Sequence, residues 1–172
     1  MKREIPHDPI VLIFMGVAGS GKTTVAKLFA RRTGAVFFEG DDFHPPKNIT
    51  KMSAGMPLTD TDRKQWLMSL RKIIVRALAR EEFTVLTCSA LKAKYRTTLA
   101  AKDPRVKFVY LTGSRTLIAE RLKNRRGHFL PPALLASQFM ILEAPTDAFV
   151  FNCKQSPAKI VMELIHALKA RH

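Results

Sequence analysis

The chain has 172 residues, a length that fits one domain whose core needs neither disulfides nor a structural metal. Hydrophobic residues make up 47%, which marks a globular chain, and no apolar run approaches the roughly 20 residues needed to cross a bilayer. The net charge of +15 fits either a nucleic-acid-binding face or a basic pocket for an anionic small molecule; because the cations are scattered and no RNA-binding motif accompanies them, neither nucleic acid nor membrane is an expected partner.

In chain order, strands and helices alternate, the pattern of an α/β domain with a mostly parallel sheet. Met1–Pro9 is charged, and the apolar run after it is too short for a signal peptide. Ile10–Met15 is apolar throughout and reads as a central strand. A helix over Lys22–Arg32 follows, then a strand over Ala35–Phe38. Gly40–Leu58, rich in Pro, Gly and charge, is expected to be a long loop, which often signals function. The next helix starts near Asp60–Asp62, and Trp66, Leu67, Leu70, Ile73, Ile74, Ala77 and Leu78 give it a 3.6-residue stripe. Trp66 reads as core. Further strands are expected over Phe83–Cys88, Val106–Leu111 and Ala148–Asn152. Helices are expected over Lys92–Ala101, Ser114–Asn124 and from Pro132 to about Glu143. A last helix is opened by Ser156 and Pro157. Cys88 and Cys153 lie far apart without metal-ligand spacing; they read as buried reduced thiols, which suits a cytoplasmic location.

Gly16-Val17-Ala18-Gly19-Ser20-Gly21-Lys22-Thr23 matches the P-loop pattern in full, between a buried strand and an amphipathic helix. Its glycines let the backbone wrap phosphates without Cβ clashes, and the amides from about Ala18 to Thr23 are expected to point inward as donors. Lys22 reaches the β- and γ-phosphates of ATP and the Thr23 hydroxyl is a Mg²⁺ ligand. Thr24 completes the nucleotide-binding set. Glu39, Asp41 and Asp42 follow the second strand. At the carboxyl end of a parallel strand, one such carboxylate can orient or deprotonate an alcohol and another can organise Mg²⁺. The plainer alternative is a solvated acidic turn.

Beyond the P-loop the chain carries Glu39-Gly-Asp41-Asp42-Phe-His44-Pro45, Asn48-Ile-Thr-Lys51-Met52 and Pro57-Leu58-Thr-Asp60-Thr-Asp62-Arg63 with Trp66-Leu67. Cys88-Ser89-Ala90-Leu91-Lys92, Tyr95-Arg96, Arg121 to Phe129, Ser137-Gln138-Phe139 and Leu142-Glu143-Ala-Pro145 follow. Over roughly residues 10–145 this series resembles bacterial gluconokinase, which makes 6-phospho-D-gluconate from D-gluconate and ATP. The resemblance implies a P-loop fold of the nucleoside-monophosphate-kinase type, with five parallel strands, flanking helices and a lid over about 121–132. It also implies a cytoplasmic homodimer. The rival within the same fold is a kinase for shikimate or another sugar acid. Two departures stand out. Glu39 replaces a customary Asp, and the acidic stretch after Pro145 is reduced to Asp147, close to the 152–157 segment where base contacts are expected.

The resemblance also implies roles. Asp41 is the expected base or orienting group for the terminal hydroxyl of gluconate, Glu39 serves the Mg²⁺ shell, and Asp42 is dispensable. Gluconate is a carboxylate, so a cationic clamp is expected from Arg63, Lys92 or Arg96. His44 either donates to a sugar hydroxyl or caps a loop. Arg121 and Arg125 border the lid: Arg125 brings charge to the transferred phosphoryl, and Arg121 does the same or stacks on adenine.

Overall fold

A computed structural model describes residues 11–124 and 131–170. Val11–Met15 (β1) is buried at every position because it is covered on both faces. The remaining elements are α1 (Lys22–Thr33), β2 (Val36–Phe38), α2 (Pro46–Ser53), α3 (Asp60–Ala79) and β3 (Thr84–Thr87). They continue with α4 (Ala93–Ala100), β4 (Val106–Thr112), α5 (Arg115–Lys123), α6 (Pro132–Ile141), β5 (Phe149–Asn152) and α7 (Pro157–Lys169). The five strands form one parallel sheet in the order β2-β3-β1-β4-β5, with Val11 paired to both Thr84 and Val106.

Alternate residues of β1 serve two layers. Leu12 and Phe14 pack with Val25 and Phe29 of α1 and Ile160 and Leu164 of α7. Val11, Ile13 and Met15 pack with Trp66, Leu70 and Ile74 of α3 and with Tyr95 and Leu99 of α4. The chain leaves β1 toward β2 but leaves β3 toward β4, so the loops after these adjacent strands diverge. That divergence opens the kind of crevice at the carboxyl edge of the sheet where α/β folds hold ligands.

The expected α/β architecture and its five strands are present, with ends shifted by one or two residues as terminal bonds pass to turns. The expected long loop is the main difference. Gly40–Phe43 is a 3₁₀ turn and Pro46–Ser53 is a helix. Pro46 suits a first helical position, because its φ is fixed and its missing N–H would be unpaired there anyway. The one fully buried residue of α2 is Asn48, so this helix carries no apolar stripe to announce it. Helix α3 begins at Asp60, where its carboxylates suggest, with Thr59 as its N-cap. The Thr59 hydroxyl accepts from Asp62 N, and the Asp62 carboxylate accepts from Thr59 N at 2.9 Å, a reciprocal cap.

Candidate active site

The loop between β1 and α1 has the backbone its glycines predict. Gly16 sits at φ +139, and a Cβ there would lie 2.6 Å from the Leu111 carbonyl oxygen, so no side chain fits between the loop and β4. Gly21 caps α1 in the left-handed region without a side-chain hydrogen bond, and the first turn of α1 has no acidic residue. A helix start of that kind suits an anion. The Lys22 ammonium donates to the carbonyls of Gly16 and Val17, each at 3.0 Å. Val17 packs against Leu91 and Ile118, Ser20 is buried, and Thr24 is exposed. One expectation is corrected: the Ala18 amide donates to Gln138 Oε1 at 2.7 Å, so a side chain from α6 takes that N–H.

Glu39 joins three elements. Its Oε2 accepts from the Thr23 hydroxyl at 2.7 Å, and its Oε1 accepts from the Thr87 hydroxyl at the end of β3. Thr87 Oγ1 in turn accepts from Gly40 N at 3.0 Å. Among the described residues no group of three or more His, Cys, Asp or Glu side chains can hold a metal by itself. A hydroxyl and one carboxylate are hard oxygen donors of the kind that, with substrate phosphates, suit Mg²⁺.

The acidic turn that follows is set by Trp66. Its Nε1 donates to the Gly40 carbonyl at 2.7 Å, and its ring stacks on His44 with centroids 4.1 Å apart and planes 16° apart. Trp66 is therefore core, as expected, and also the support of the turn. The Asp41 side chain is 76% exposed, and its Oδ1 lies 3.8 Å from Nε2 of the buried His44. Burial, and then the Arg63 guanidinium, push His44 down to about 4, so its ring is neutral at neutral pH.

The three candidate clamp cations differ in their company. Lys92 donates to both Asp60 oxygens, at 2.9 and 3.1 Å, and Lys94 and the Tyr95 hydroxyl donate to the same carboxylate. Those donors hold Asp60 well below the usual carboxylate range. Arg96 is buried and donates to the carbonyls of Ala90 and Leu91, at 3.0 and 3.2 Å, where Ala90 adopts φ +45. Arg63 donates to the Leu58 carbonyl and lies 5.7 Å from the Tyr95 ring centroid. Burial pushes the Cys88 thiol, just after β3, up to about 12.

Arg121 donates to the Cys153 carbonyl at 2.6 Å, tying α5 to the turn after β5. Arg125 and half of the expected lid, 125–130, lie outside the described residues; of 121–132, the end of α5 and the start of α6 are described. Sequence reasoning missed Thr87, Asn48 and Gln138 as site-building residues. A threonine closing a buried strand was a signal for the first. Gln138 and Asn48 stood in the quoted motifs without a role.

A family profile described as an AAA domain matches residues 11–145. The chain is 43% identical over 165 residues to a gluconokinase of Gluconobacter oxydans, covering 94% of this chain and 93% of that one. It is 39% identical over 167 residues to the thermoresistant gluconokinase of Escherichia coli, covering 95% of each. A solved gluconokinase from Sinorhizobium meliloti superposes with a TM-score of 0.85 at 42% identity, over 96% of this chain and 94% of that one.

Proposed function

Because the chain belongs to the gluconokinase family, we propose that it transfers the γ-phosphoryl group of ATP to the terminal hydroxyl of D-gluconate, giving 6-phospho-D-gluconate and ADP. The observation that carries the assignment of parts is the joint at Glu39, where the phosphate loop meets the acidic turn through Thr23. Gly16, Val17, Gly19, Ser20, Gly21 and Thr24 shape and flank the phosphate cradle, and Ala18 steadies it through Gln138. Thr23 and Glu39 would hold Mg²⁺, which supplies charge neutralisation at the phosphate oxygens when bound. The Lys22 ammonium follows the charge that gathers on the leaving oxygen. Asp41 accepts the proton of the attacking hydroxyl as the oxygen–phosphorus bond forms and the bond to ADP breaks. Its main contribution is orientation, since phosphoryl transfer asks little covalent help of the protein.

For the gluconate carboxylate, Arg63 has the best support. Its guanidinium acts on the His44 ring, whose Nε2 lies 3.8 Å from Asp41, and it donates to the Leu58 carbonyl, whereas Lys92 is engaged by the Asp60 carboxylate and Arg96 holds the 90–91 carbonyls. Lys92 and Arg96 then shape the pocket wall. His44 donates to a substrate hydroxyl. Arg121 faces the adenine side, and Arg125 brings charge to the transferred phosphoryl, a role that rests on the family resemblance. The same resemblance supports a single kinase domain, a lid over about 121–132 and a homodimer. Two buried free cysteines fit a reducing cytoplasm.

The test is ADP release with gluconate, sorbitol and shikimate as acceptors. Gluconate is the expected acceptor. Sorbitol, which lacks the anion, should lose roughly ten- to a hundredfold in kcat/KM, the value of a charge-assisted hydrogen bond. Arg63→Ala should narrow that gap, and Asp41→Asn should lose most turnover while still binding ATP. Equal use of sorbitol by the wild type would defeat the clamp, and ADP release indifferent to gluconate would defeat the kinase assignment.

A further inference from the structure

A buried hydrogen-bond chain runs from α3 through α2 to the acidic turn, and its polarity is set by one carbonyl. Asn48 is wholly buried in α2, with its Nδ2 2.9 Å from the Asp62 carbonyl oxygen. A carbonyl only accepts, so the Asn48 atom facing it must be the amide nitrogen. That same nitrogen lies 3.3 Å from His44 Nδ1. An amide NH₂ has hydrogens to give and no lone pair to offer, so Nδ1 must be the accepting, unprotonated nitrogen of the ring. In a neutral imidazole the proton then sits on Nε2, the atom 3.8 Å from Asp41 Oδ1. Trp66, nearly parallel to the ring, holds its plane. The charged side chains acting on the ring are Asp41 from the turn and Arg63 from α3.

We propose that Asn48 is a positioning residue that fixes the tautomer of His44, so that an Nε2–H rather than a lone pair is presented at the Asp41 end of the acceptor pocket. This rests on the reading of Asp41 as the acceptor-side carboxylate. A fixed Nε2–H donates to an alcohol oxygen or to Asp41 and does not compete with Asp41 for the alcohol's proton. The opposite tautomer would set N–H against N–H at Asn48 and turn a second proton acceptor toward the substrate. A purely structural Asn48 needs only the bond to Asp62. Its amide oxygen has no partner among the described residues, which makes a buried asparagine a poor choice for stability alone.

The test labels the full-length protein with ¹⁵N at histidine and reads both His44 ring nitrogens by long-range proton–nitrogen correlation at neutral pH. The signals are assigned by their loss in His44→Gln. The expected wild-type result is an unprotonated Nδ1 and a protonated Nε2. A proton on Nδ1, or a mixture of tautomers, overturns the proposal whatever the acceptor proves to be. Asn48→Asp offers only acceptors and should draw the proton to Nδ1, lowering kcat about ten- to a hundredfold while KM for ATP stays within about twofold. A changed tautomer with wild-type kcat overturns the positioning role. Asn48→Ala provides a second arm: it should lower kcat in the wild type and cost little more in His44→Gln, whereas an undiminished loss in that background would mark Asn48 as structural and overturn the proposal. Failure of the Asp41 reading appears separately, as wild-type turnover by Asp41→Asn with the His44 nitrogen signals unchanged.

Discussion

Gly40→Ala adds one methyl group at the tightest contact of the site. A Cβ on Gly40 would lie 1.9 Å from the Thr87 carbonyl oxygen and 3.6 Å from Leu70 Cδ1. Ordinary contact is about 3.5 Å, so the turn and β3 would have to part by on the order of 1 Å. Neither side yields freely. Gly40 is held by Thr87 Oγ1 at its N–H and by Trp66 Nε1 at its carbonyl, and β3 is clasped between β2 and β1. Overpacking of this kind costs about 1–3 kcal/mol, and weakening the two hydrogen bonds adds about 1 kcal/mol more. For a chain of this size that is a Tm lower by roughly 5–15 °C. Glu39 and Asp41 flank the glycine, so both carboxylates move with it, and kcat should fall about 10²-fold, the usual cost of an ångström of misplacement. KM for ATP should change less, because the phosphate loop hangs from β1. Thermal denaturation and ADP-release kinetics measure both effects. Gly34→Ala is the control: its φ of +73 strains any side chain, but nothing lies within 4 Å of the added Cβ, so stability should drop modestly with kcat intact. A Gly40→Ala enzyme with wild-type Tm and kcat would refute the packing reasoning.

Two other outcomes are expected. Lys22→Ala should lower kcat by about 10²-fold or more with little change in Tm, because the ammonium is satisfied by loop carbonyls and the core does not depend on it; normal turnover would remove Lys22 from the chemistry. His44 gives a pH effect of definite sign. The unfolded chain protonates it near 6.5 and the folded one only near 4, so the unfolded state binds the extra proton in between; stability falls as pH drops through that window, by up to about 3 kcal/mol, and levels off below it. Denaturant unfolding at pH 7 and pH 4.5 should show a smaller difference for His44→Gln than for the wild type, and an equal difference would refute the buried neutral ring.

Where the chain signals local physics, the sequence was readable. A five-residue apolar run reads as a central strand, and an eight-residue phosphate motif reads with its strand and helix attached. The stripe from Trp66 to Leu78 marks α3, with Ile73 alone only partly buried. What escaped was made by distance in the chain. Gln138 reaches Ala18 across 120 positions and Thr87 reaches Glu39 across 48, pairings that no local pattern encodes. Helix α2 escaped for a different reason, since it buries an amide and leaves Ile49 half exposed. Among Arg63, Lys92 and Arg96, residue type alone offered three equivalent cations. The partners separate them: the Asp60 carboxylate for Lys92, two loop carbonyls for Arg96, and the Leu58 carbonyl and Tyr95 ring for Arg63.

The order of the sheet also constrains how the protein is made. β1 carries the phosphate loop, yet its two neighbours arrive late: Val11 pairs with Thr84 and with Val106, while β2, among the described residues, pairs only with β3. A nascent chain that has exposed β1, α1 and β2 therefore has no sheet at all. At synthesis rates of about 5–20 residues per second, Val11–Met15 waits on the order of ten seconds for both its partners, a bare apolar strand open to chaperones or to its own kind. Nucleotide cannot shorten that interval, because it stabilises only a chain whose loop is already formed. Slower elongation between residues 16 and 106 should thus raise the aggregated fraction even when ATP is abundant.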